Sequence, residues 1–264
     1  MTNEFEYKIL KTGFFLADGG AMFGAIPKRV WSRKYQSDEQ NLCCLAMNCL
    51  LIFNEDRIVL FDTGVGNKKL GKLSGYGFRD RKDLIELISL QGFSPEQITD
   101  VVLSHLHFDH CGGCTYLDKN NNLQIAFPNA KHWVGKKQWQ NYLHPNDLEK
   151  DAYRTEDMIP VFDAGLIHFI DSDMELCKNI YLKLFDGHTQ DQIVSLINTE
   201  DRQWLLFPGD VIPTKAHLSD DWISAYDVEP LKSLSSKIKL KEWVRQKNVS
   251  TIFYHDSYIF LDYS

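Results

Sequence analysis

Short apolar runs alternate with polar turns along the chain, and the period of each run predicts its conformation. The longest run, Leu42–Phe53, is interrupted by Asn48; the turn Asn54-Glu55-Asp56 and a second run, Ile58–Phe61, follow it. Two apolar runs around a tight polar turn predict an antiparallel strand pair. Lys82–Gln91 spaces Leu84, Ile85, Leu87 and Ile88 at helical intervals before Gly92 stops it. Ser94-Pro95-Glu96 has the form of a helix start, with Ser as cap and Pro at the first helical position. Asp100–Ser104 predicts a buried strand, Lys136–Leu143 a helix, and Lys183–Phe185, Ile193–Ile197 and Trp204–Phe207 three further strands. Pro230–Lys247 opens on Pro and spaces Leu231, Leu234 and Ile238 along one helical face; Thr251–Tyr254 predicts a last short strand. This mixture indicates a layered α/β or α+β sandwich. No linker or fixed repeat divides it, so residues 1–264 are expected to form a single domain.

Composition narrows the function classes. Of 264 residues, 44% are hydrophobic and 25% charged, which is globular usage. A net charge of −7 disfavours nucleic acid as a partner. No apolar run reaches the about 20 residues of a membrane helix. The beginning, MTNEFEYKIL, lacks the apolar core of a secretory signal, so the six Cys are expected as reduced thiols in a cytoplasmic protein. Cys111-Gly112-Gly113-Cys114 has redox-type spacing but no second pair, and Cys43, Cys44 and Cys49 sit in an apolar strand as core thiols.

The nine His change the picture, because they are unevenly placed. Ser104-His105-Leu106-His107-Phe108-Asp109-His110 puts three His and one Asp within six residues, at the end of a predicted strand. A lone His there would be read as core packing. Three around an Asp are costly to bury without partners, and imidazole with carboxylate is a donor set for zinc, iron or manganese. Four donors on a short loop cannot all face one ion, so the spacing suggests two neighbouring metals with further ligands from elsewhere. Three other strand ends offer them: Asp186-Gly187-His188, Gly209-Asp210 and His255-Asp256. His132, His144, His168 and His217 lack partners at ligand spacing and are expected to be structural or surface residues.

Taken in series, H-x-H-x-D-H, Gly187-His188-Thr189, Gly209-Asp210 and the late His255 resemble the metallo-β-lactamase superfamily, from about residue 42 to 256. Asp62-Thr63-Gly64 matches a further element, in which the Asp would buttress the site from behind the ligands. The resemblance implies an αββα sandwich of two similar halves with metals at one edge of the sheets. It implies that His105, His107 and His188 hold one metal, that Asp109, His110 and His255 hold the other, and that Asp210 bridges them.

The implied chemistry is hydrolysis of an ester, lactone or phosphotriester of a small molecule by a hydroxide shared between two divalent ions. Zinc is the first expectation, with iron and manganese as alternatives. Asp109 would orient the hydroxide and carry its proton towards the leaving group. The pattern resembles the lactonase and organophosphate-hydrolase branch, whereas a glyoxalase II-like thioester hydrolase and a non-catalytic metal-binding sensor are the rival readings. Gly19–Gly24 resembles a pocket-bordering segment of that branch, making Phe23 and Trp31 pocket candidates; Trp222 and Tyr226 are others. Several lactonases of that branch place a Tyr three residues after the bridging Asp. Pro213 stands there in this chain, so that role is either vacant or moved, with Tyr226 as one candidate to take it. No nucleic acid or membrane partner is expected, and the resemblance allows a homodimer.

Overall fold

The computed structural model describes residues 4–199 and 203–257. Its strands, in chain order, are β1 Glu6–Asp18, β2 Leu42–Phe53, β3 Ile58–Phe61, β4 Asp100–Val102, β5 Thr115–Leu117, β6 Leu123–Ile125, β7 Lys131–Gly135, β8 Ile167–Ile170, β9 Met174–Cys177, β10 Ile180–Phe185, β11 Gln192–Asn198, β12 Trp204–Phe207 and β13 Val249–Thr251. The helices are α1 Gly19–Phe23, α2 Lys28–Trp31, α3 Leu84–Ser89, α4 Phe108–Cys111, α5 Lys136–Leu143, α6 Thr155–Asp163 and α7 Pro230–Val244. One sheet has the order β1-β2-β3-β4-β7-β8, the other β13-β12-β11-β10-β9, and β5 and β6 form a small hairpin.

Burial explains why the sheets stack. Strands covered on both faces read as near-continuous apolar runs, and β2 and β3 do so. In β11 and β12 the side chains alternate between two cores. Ile193, Ile197, Leu205 and Phe207 join the main core, whereas Val194, Leu196 and Leu206 pack with Leu240 of α7 on the outer face. Phe61 and Phe207 meet between the sheets at 5.8 Å. Ile88 of α3 packs into the main core from the first sheet's side. The layers are helix, sheet, sheet, helix: an αββα sandwich. Among the described residues no helix is long and apolar enough to cross a membrane.

Several elements differ from the sequence reading. The Ser94 capping box is present, yet it opens only the single 3-10 turn Pro95–Gln97. The last strand is Val249–Thr251, so Ile252–Tyr254 lies beyond it. Helix α7 does not bury the face of Leu231 and Ile238, which are 82% and 39% exposed. It buries Ser233, Ser236, Lys237 and Leu240 instead. The reason is polar: Ser236 donates to the Asp186 carbonyl, and Lys237 Nζ donates to the Ser219 and Trp222 carbonyls. Lys237 is thereby buried in the fold, and burial pulls its pKa down to about 8.

Candidate metal centre

Topology brings the donor-bearing strand ends together. β3 and β4 run parallel, so Asp62 and the His105–His110 segment leave the first sheet at one edge. β10 and β12 are both antiparallel to β11, and β13 is parallel to β12. His188, Asp210 and His255 therefore follow strand ends that share one edge of the second sheet. Two glycines are needed for the turns involved. Gly187 has φ +137°, and a Cβ there would meet the Ser233 backbone nitrogen at 2.4 Å; Gly209 has φ +51°, and a Cβ would meet Ser104 Cβ at 2.7 Å.

The donor atoms form two sets. His107 Nδ1 stands 3.0 Å from His105 Nε2 and 3.2 Å from His188 Nε2. Asp109 Oδ2 stands 3.6 Å from both His110 Nε2 and His255 Nε2. Asp210 lies between, with Oδ1 3.6 Å from His110 Nε2 and 3.2 Å from His255 Nε2, and Oδ2 3.3 Å from His188 Nε2. Ligand atoms about 2 Å from a zinc ion at the tetrahedral angle stand about 3.3 Å apart. The observed spacings match that figure. His110 Nε2 and Asp210 Oδ1 are buried and lack any hydrogen-bond partner, which is what donors awaiting a cation look like. The residues fit a pair of divalent ions.

Electrostatics agree. Burial works against charge on His110, but the carboxylates of Asp109, Asp210 and Asp62 outweigh it and raise its pKa well above the ordinary imidazole value. His188 is raised in the same way, against burial, by Asp210 and Asp227. Burial pushes Asp210 up, yet His255, His110 and His188 hold it well below the usual carboxylate range. His105, by contrast, is lowered by burial and by the neighbouring imidazoles. The carboxylates thus favour positive charge on His110 and His188. They call for positive charge at this spot.

Of the ring nitrogens that face away from the donor sets, those of His110, His188 and His255 are also held. His110 Nδ1 lies 2.8 Å from Asp62 Oδ2, and Asp62 accepts from the backbone and hydroxyl of Ser104, both at 2.7 Å. Asp62 thus stands behind His110, on the side of the ring away from the donor set. His188 Nδ1 lies 2.9 Å from Asp227 Oδ1, and His255 Nδ1 lies 2.9 Å from the Ala46 carbonyl. Asn48, the polar break in the apolar run, is fully buried, and its Nδ2 donates to the carbonyls of Phe253, Tyr254 and Asp256. It clamps the segment that carries His255. Tyr254 stacks on the His110 ring at 4.0 Å and donates to the Asp109 carbonyl. Asp227 and Asn48 were not singled out in the sequence as site residues; only Asn48 left a signal, as a polar residue inside an otherwise apolar strand.

A cavity of about 350 Å³ opens above the donors, walled by Phe15, Met22, Leu45, Tyr76, Phe108, Pro213, Ala225, Tyr226 and Val228. Of the four sequence candidates for its wall, Tyr226 lines it. Phe23, Trp31 and Trp222 do not. They are 0%, 1% and 5% exposed and form an aromatic cluster in the core, with Phe23 stacked on Trp31 at 4.8 Å and on His217 at 5.0 Å. Stacking removes more of their apolar area from water than the cavity wall would. His217 itself is buried between Thr214 Oγ1 and the Met22 carbonyl, tying the segment after Asp210 to α1. Cys111 and Cys114 are free and buried, and burial raises both thiols, so the C-x-x-C spacing is one of packed side chains.

Fold and donor set together define a class, and comparison with known proteins agrees: the chain belongs to the metallo-beta-lactamase superfamily, whose model matches residues 44–246. An N-acyl homoserine lactonase of Bacillus cereus is 26% identical over 230 residues, covering 82% of this chain and 83% of that protein. A probable metal-dependent hydrolase from Staphylococcus aureus superimposes with a TM-score of 0.88 and 27% identity, covering 97% of this chain and 91% of that one. The dizinc quorum-quenching lactonase AidC, in complex with a product, shares the fold at a TM-score of 0.73 and 22% identity, covering 98% and 90%. The resemblance to a hydrolase family read from the motifs holds.

Proposed function

We propose that the chain is a metal-dependent hydrolase of a neutral ester or lactone of a small molecule that carries an apolar substituent. One observation carries this reading: donor atoms of seven residues at coordination spacing on the floor of an apolar cavity that, among the described residues, no Lys or Arg lines. Lactonase names among the relatives support the carbonyl substrate. Two divalent cations, zinc first and iron or manganese on the same donors, supply an activated water and a Lewis acid for the substrate oxygen. His105, His107 and His188 would hold one, Asp109, His110 and His255 the other, and Asp210 offers one oxygen to each. Asp109, which also faces the cavity, would accept a proton from the attacking water on its carboxylate and pass it to the leaving oxygen as the ester or lactone C–O bond breaks. Tyr226 faces the cavity beside Pro213, and its phenol is protonated at neutral pH and available as a hydrogen-bond donor. Both sheets share one continuous apolar core, which supports reading the chain as one hydrolase domain.

The absence of basic wall residues among those described disfavours a glutathione thioester, whose carboxylates need a cationic grip. A panel of γ-lactones with short and long acyl chains, an aryl phosphotriester and S-lactoylglutathione tests the reading. The lactones are expected to be turned over with the highest kcat/KM. Preference for S-lactoylglutathione would refute it.

A further inference from the structure

The ring nitrogens of the ligand histidines that face away from the donors are held by Ser104, Asp62, Asp227 and the Ala46 carbonyl, except in one case. His107 presents Nδ1 to the donor set, and a ligating Nδ1 carries no proton, so Nε2 must carry it. That Nε2 is buried and has no hydrogen-bond partner. Facing it at 3.8 Å is Glu149 Oε1, equally buried and equally without a partner. Two complementary orphans are not expected side by side by chance, because each costs about 1–3 kcal/mol when left unsatisfied. Glu149 is 3% exposed. Its other oxygen is held by Asn146 Nδ2 at 2.8 Å and by Asn141, so the carboxylate cannot swing out to solvent without breaking both bonds. Asn146 in turn accepts from the backbone amides of Leu148 and Glu149. The carboxylate is therefore built into its loop before any cation arrives.

We propose that Glu149 is a positioning residue of the metal centre: its carboxylate accepts the Nε2–H of His107 and fixes the ring whose Nδ1 serves the His105–His107–His188 set. This rests on the metal-centre reading above. The separation of 3.8 Å is about 1 Å beyond a normal hydrogen bond, so the contact is one that ligation of Nδ1 would draw shut. Leu148, Glu149, Asp151 and Ala152 also line the cavity, so the same contact ties its rim to one metal position and not to the other. Carboxylate partners of ligand histidines are worth about 10–100-fold in metal affinity.

The test uses the full chain with cobalt(II) as the probe, titrated in competition with a chelator and followed by its visible spectrum and by exchangeable imidazole N–H signals in proton NMR. Wild type is expected to bind two cobalt ions. Glu149→Gln is expected to weaken one of them about 10–100-fold, to leave the other within about threefold, and to lose one slowly exchanging N–H signal. The metal-free variant should melt at the wild-type temperature. Glu149→Asp, a milder change that keeps the charge but withdraws it by one methylene, is expected to fall between the two and covers the case in which the Gln variant does not fold. Two wild-type affinities and an unchanged spectrum in the variants would overturn the proposal. So would an equal loss at both positions with a lowered metal-free melting temperature, which would make Glu149 a loop anchor only. Failure of wild type to bind cobalt would refute the metal-centre reading itself, and this proposal with it.

Discussion

Asn48 shows how one polar side chain inside an apolar strand reaches the chemistry. It donates to three carbonyls of the segment around His255, and the Ala46 carbonyl beside it meets His255 Nδ1. Replacing it with a side chain of similar volume that cannot donate removes all three bonds and strands the Asp256 carbonyl, while the Tyr254 and Phe253 carbonyls keep the backbone amides of Asn48 and Asp256. For Asn48→Leu we expect a loss of about 3 kcal/mol, at about 1–3 kcal/mol per unsatisfied group with partial relaxation. That corresponds to a drop of roughly 10 °C in melting temperature for a chain of this size. Metal affinity should fall mainly at the Asp109–His110–His255 set. Calorimetry with metal titration checks both, and a wild-type melting temperature would show that the clamp contributes nothing.

Elements whose pattern is local were legible in the sequence. β2, β3, β12 and α5 have the bounds their apolar runs predicted. Elements that depend on distant partners were not. β1 is an edge strand whose register with β2 shifts between Lys11 and Phe14, so no clean alternation marks it. Ile252–Tyr254 is apolar enough for a strand, but Asn48 takes the backbone carbonyls of Phe253 and Tyr254 that a ladder would need. The face that α7 buries was not legible, because its buried Ser236 and Lys237 serve carbonyls of other segments, which no helical period records. The same division runs through the site. The donors were readable because they sit in short motifs at strand ends. Glu149 and Asp227 come from loops and acquire meaning only through the fold, and Phe23, Trp31 and Trp222 were aromatic candidates that the core claimed.

At the scale of the whole molecule, nine His in an acidic chain set its response to pH. His132 is buried with Nδ1 near the Ala130 carbonyl and Nε2 unpartnered, and burial pulls its pKa down to about 4. The unfolded chain binds its proton near pH 6.5. The contribution of a neutral His132 is therefore complete above about pH 6.5 and is lost as pH falls towards 4. Against a His132→Gln variant, which lacks this titration, wild type should lose about 2 kcal/mol of relative stability between pH 8 and pH 5. Urea unfolding of the two proteins at both pH values checks this. A pH-independent difference would mean that the imidazole is not held neutral.

The cavity, the donor geometry and the family all turn on one claim, that this edge of the sandwich holds two divalent ions. Elemental analysis of the purified chain tests it most directly, with the His107→Ala and Asp210→Ala variants analysed beside it. Close to two ions per wild-type chain are expected, with a loss of metal in both variants and a melting temperature that falls when a chelator strips the ions. A wild-type chain that carries no divalent metal, and whose melting temperature ignores the chelator, would contradict it.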